Sequence, residues 1–133
     1  METYRAKIVE QFFPKRGFGK LKLGEARAAI RDYRNASGDT AGVLELLMTY
    51  VENAAAFTCE YGDIDERFYD SADSVLAELT KLLLGEGAAF YPTFRKRLIE
   101  VREKTDGIGW GYADFIAEQV GLLEEKLGPE EKP

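Results

Sequence analysis

Apolar residues recur along most of the chain with a helical period. Tyr4, Ile8 and Phe12 are spaced i, i+4 and predict a short first helix that Pro14 and Gly17 end. Ala26, Ala29, Ile30 and Tyr33 form a stripe over a second helix from Glu25 to about Ala36. Ser37-Gly38-Asp39 then reads as a stop and restart, with Gly38 the C-terminal cap and Asp39 the N-cap of the next helix. That helix, about Thr40 to Tyr61, is apolar around most of its circumference. Only Glu45, Thr49, Glu52, Ala56 and Glu60 mark a narrow outward strip, the pattern of a central helix packed on several sides.

Asp65 is placed to cap a fourth helix running to Leu84, with an apolar stripe of Phe68, Ala72, Val75, Leu76, Leu79, Leu82 and Leu83. Gly85 and Gly87 break the chain. A fifth helix starts near Phe90, because Pro92 is tolerated only in a first turn, and closes at Thr105-Asp106-Gly107. A last helix covers about Trp110 to Leu127 and buries Tyr112, Phe115, Ile116, Gln119, Val120 and Leu123. No segment alternates with period two, so the fold class is all-α: a compact bundle of five to six helices. The alternative is a short helical-repeat-like stack, since helix pairs can be drawn over 25–61 and 65–104. Residues 1–127 form one domain and 128–133 a frayed acidic tail.

Composition narrows the chemistry. The 133 residues include no histidine and one cysteine, so neither a Ser-His nor a Cys-His nucleophile can be assembled, and neither histidine nor paired thiolates can hold zinc. With no histidine to activate it, Cys59 reads as a small core hydrophobe. The single cysteine, the lack of a long apolar run and the absence of a leader pattern at METYRAKIVEQFF predict a cytoplasmic protein with no membrane partner.

The net charge of −6 conceals an asymmetry: residues 1–38 carry nine Lys and Arg against four Asp and Glu, and the remainder nine against twenty. Lys15, Arg16, Lys20 and Lys22 surround the glycines of FFPKRGFGK. Arg27, Arg31 and Arg34 extend them along one helix face at i, i+4, i+7 spacing. The segment lacks the strand and the G-x-x-x-x-G-K-[ST] spacing of a phosphate loop, so it reads as a helix connection within a basic patch. Its acidic counterpart is Asp63, Asp65, Glu66 and Asp70. An EF-hand register starting at Asp63 fails, because Arg67, Phe68 and Ser74 fall where an oxygen ligand, the turn glycine and a bidentate glutamate belong. GIGWG at 107–111 follows no strand and reads as a tight turn with Trp110 over the core, and RKR at 95–97 as a solvated face. No metal or cofactor is expected.

FFPKRGFGK, EARAAIRDYRNASGD, FTCEYGDIDERFYDSADSV and GIGWGYADF together resemble a bacterial family of small all-helical proteins catalogued as a domain of unknown function. The resemblance implies a compact helical fold in a bacterial cytoplasm and carries no catalytic residue. The leading expectation is a non-enzymatic module that binds an unidentified protein partner or forms a homo-oligomer. The alternative is weak anion or nucleic-acid binding through the basic patch, and a carboxylate enzyme around Glu60, Tyr61, Asp63 and Asp65 ranks third.

Overall fold

A computed structural model of the chain describes residues 23–61, 66–108 and 111–128, with side chains other than those at 23–27, 57, 60–61 and 66–71. Among these residues the chain forms five α-helices and no strand. They are α1 (Leu23–Ser37), α2 (Thr40–Tyr61), α3 (Glu66–Leu84), α4 (Tyr91–Thr105) and α5 (Gly111–Leu127), with a 3₁₀ turn at Ala88–Phe90 before α4. The expected first helix, the Asp65 cap and the Trp110 lid lie outside the described residues.

Four helices close a ring in which α2 packs on α3, α3 on α5, α5 on α4, and α4 back on α2; α1 lies over the edge shared by α2 and α3. As its pattern predicts, α2 is central. Val43, Leu44, Leu46, Leu47, Met48, Tyr50, Val51, Ala54 and Ala55 are buried along it, against Leu76, Leu79, Leu83, Leu98 and Ile116 of the other helices. Removing one such side chain, as in Leu44→Ala, would cost about 2–5 kcal/mol through lost burial and a residual cavity.

The helix pair expected over 65–104 does not form. Although consecutive, α3 and α4 lie diagonally across the bundle, and α3 packs on α2 and α5 instead. The linking segment explains the difference. Gly85-Glu86-Gly87 turns back on α3, with Gly87 N donating to the Leu82 carbonyl at 2.7 Å, and the 3₁₀ turn carries the chain over the bundle end. Gly87 is required by space: a Cβ there would lie 2.9 Å from the Leu82 carbonyl oxygen and 3.0 Å from Leu44 Cδ1.

The junction between α1 and α2 is built as its residues predict. Gly38 takes φ +63° and its N–H reaches the Arg34 carbonyl at 3.2 Å, closing α1. Asp39 Oδ1 accepts the Gly42 N–H at 3.0 Å, satisfying one of the donors left open at the start of α2. Its Oδ2 accepts from the buried hydroxyl of Tyr33 at 2.7 Å, which ties the cap to the α1 face. Pro92 occupies the first turn of α4, where its missing N–H costs nothing.

Candidate functional site

The site begins with Arg34, in the last turn of α1. Tyr33 and Ile30 bury the inner face of that helix, so Arg34 projects along the seam between α1 and α3. Its Nη1 donates to Glu78 Oε1 at 3.0 Å, and its Nη2 lies 3.5 Å from Glu86 Oε1 in the turn after α3. One guanidinium thus joins three segments of the chain. All three side chains retain substantial exposure, 44% for Arg34, 32% for Glu78 and 59% for Glu86, so each pair adds well under 1 kcal/mol of stability.

On either side of the Arg34–Glu86 pair the surface is hollowed. A groove of about 590 Å³ runs along the outer face of α3, floored by Ala77 and Leu82 and edged by Ser74, Glu78, Lys81 and Gly85. A smaller hollow of about 260 Å³ lies toward the α1–α2 junction, where Asp39, Thr40 and Val43 meet the same Arg34, Leu82 and Glu86. Charges at the rim of the larger groove balance: Arg34 and Lys81 against Glu78 and Glu86. The seam is therefore a two-lobed depression with a salt bridge between its lobes; the larger lobe is balanced in charge, and the smaller adds the carboxylate of Asp39.

Of the expected basic patch, Lys15, Arg16, Lys20 and Lys22 fall outside the described residues, as does the side chain of Arg27. Arg31 is exposed, with Asp32 its ion-pair neighbour at 4.0 Å. Arg34 pairs with Glu78 and Glu86, which lie further along the chain than the acidic stretch Asp63–Asp70. Asp63 and Asp65, and the side chains of Glu66 and Asp70, fall outside the described residues. Among the described residues no group of three His, Cys, Asp or Glu is placed to hold a metal ion, and no helix is long and apolar enough to cross a membrane.

Two sequence expectations are corrected. RKR is not a solvated face: Arg95 and Arg97 are half-buried and bridge helices, while Lys96 is exposed. Arg97 lies between Glu45 and Glu52 of α2, its Nη1 2.7 Å from Glu45 Oε2 and its Nε 3.1 Å from Glu52 Oε2, with a second close bond to Glu52. The Phe94 ring sits 5.8 Å from its guanidinium carbon. The spacing of Glu45 and Glu52, seven residues apart on a mostly apolar helix, was the available signal that a cation packs opposite. Cys59 is exposed and not in the core, its Sγ 3.6 Å from the Lys104 carbonyl oxygen. Its neighbour Thr58 takes the inward direction on α2, and one residue further the helix has turned about 100° away.

A second polar cluster joins α4 to α5. Glu124 accepts Arg95 and the hydroxyl of Tyr91, which is 1% exposed. The bonds from Arg95 and Tyr91 hold the carboxyl below the usual carboxylate range. Burial, reinforced by the adjacent carboxylate, pushes the Tyr91 hydroxyl far above its ordinary value, so it stays a donor. Each member is satisfied by another, so the cluster clasps α4 to α5.

Comparison with protein-family models, curated proteins and solved structures finds no match to this chain.

Proposed function

We propose that the protein is a non-enzymatic helical interaction module whose contact surface is the seam between α1 and α3. The observation that carries this reading is the groove itself: a depression of about 590 Å³ with Ala77 and Leu82 on its floor and charges of both signs at its edge. Such a surface suits a protein segment, which brings apolar contact and paired charges together. It suits a polyanion poorly, because the Arg34 fork already serves two carboxylates of its own chain.

The test is site-specific photocrosslinking in cells, with a benzophenone amino acid at Ala77 in the groove and, as control, at the exposed Glu118 on α5. Discrete cross-linked species from position 77 that are absent from position 118 support the reading. Their absence from both positions, in folded protein, removes it.

A further inference from the structure

The α3 face along the larger groove has an internal symmetry. Glu78 and Lys81, Ala77 and Leu82, and Ser74 and Gly85 are each equally distant from the midpoint between Leu79 and Thr80, and all six line the groove. At about 100° per residue Ser74, Ala77, Glu78, Lys81 and Leu82 fall on one outward side of the helix, and Gly85 follows in the turn just past its end. We propose that the groove is filled by a second copy of this chain, with α3 antiparallel to its mate across a two-fold axis at that midpoint. The inference rests on the interaction reading above and names its partner.

In this register Glu78 faces the partner's Lys81, and the axis repeats the pair. The exposed Ala77 faces the edge of the partner's Leu82, whose side chain is 6% exposed and packs mainly into its own core. Ser74 faces the partner's Gly85, so both ends of the strip are small enough for close backbone approach. Charge complementarity selects this occupant. Lys81 is exposed and makes no ion pair among the described residues. Glu78 accepts Arg34 through Oε1, leaving Oε2 to receive an ammonium. A groove of zero net charge attracts neither a polyanion nor a polycation over distance, whereas a two-fold mate meets each charge with its opposite.

Sedimentation of the full chain, with circular dichroism to confirm folding, tests the idea. We expect a dimer in about 50 mM salt that weakens severalfold at about 500 mM. Glu78→Lys weakens it about tenfold by setting like charges opposite each other twice, and adding Lys81→Glu restores most of the loss. Ala77→Arg, at an exposed position, abolishes the dimer. In a Cys59→Ser background, mixed Glu78→Cys and Lys81→Cys chains form the mixed disulfide in preference to either like pair. A chain monomeric up to about 1 mM in low salt overturns the proposal. So does a dimer that is indifferent to Ala77→Arg or cross-links through like pairs. Cross-linking from position 77 to a different protein, with the purified chain monomeric, overturns it while leaving the interaction reading standing.

Discussion

Arg95 holds the carboxylate of Glu124 in a two-point fork, Nε 2.8 Å from Oε2 and Nη2 2.6 Å from Oε1, and so fastens α4 to α5. The hydroxyl of Tyr91 completes the carboxylate's shell from one turn earlier in α4. Removing the charge through Glu124→Gln leaves Arg95 and the buried Tyr91 hydroxyl poorly served, and a loss of about 2 kcal/mol in urea unfolding at neutral pH is expected. The pH dependence has a definite sign. The Glu124 carboxyl is held below its ordinary value in the fold, so its contribution is complete above the usual carboxylate range, about pH 4.3, and disappears as pH falls through the lower folded value. Between pH 7 and that range, wild type and Glu124→Gln should differ by a constant amount. Below it the difference should shrink, and a gap that widened on acidification would contradict the assignment.

Arg97 performs the equivalent task between α4 and α2. Arg97→Ala leaves Glu45 and Glu52 without their shared cation, and a loss of about 1–2 kcal/mol is expected. A double-mutant cycle with Glu52→Ala should give a coupling near 1 kcal/mol, since the residues touch. Arg97→Lys should recover less than half, because an ammonium cannot reproduce a fork shared between two carboxylates.

The α1–α2 junction depends on Gly38 and Asp39 in different ways. Asp39→Ala removes both the cap on Gly42 and the acceptor of Tyr33, for about 2 kcal/mol by thermal or chemical unfolding. Gly38→Ala meets no neighbouring atom but must hold φ +63°, so about 1 kcal/mol is expected, with Gly38→Asn losing less.

The exposure of Cys59 is open to a direct reading. Native protein without denaturant should yield one thiol to an aromatic disulfide reagent, at the same final amplitude as unfolded protein. A thiol that reacted only after unfolding would place Cys59 back in the core.

How much of this was legible beforehand differs element by element. The bounds of α2 and the end of α3 followed from apolar spacing and glycines, because burial and backbone freedom are local demands that each residue states for itself. The double role of Asp39 was half legible: the cap follows from its position, but its bond to Tyr33 depends on how α1 turns back on α2. RKR was misread for the same reason. A charged triplet on a helix looks solvated until a glutamate from another helix arrives beside it.

Among the described residues, the sequence by itself determined an all-α fold and, to within a residue or two, the helices from α1 to α5, through hydrophobic period and caps that act over one or two turns. Only the tertiary structure decided which helices are neighbours. That placed Arg34 on Glu78 and Glu86, Arg95 on Glu124 and Arg97 on Glu45 and Glu52, and hollowed the seam along α3. Ion pairs and grooves are made by side chains from elements distant in sequence, and their partners are set by how the apolar faces close on one another.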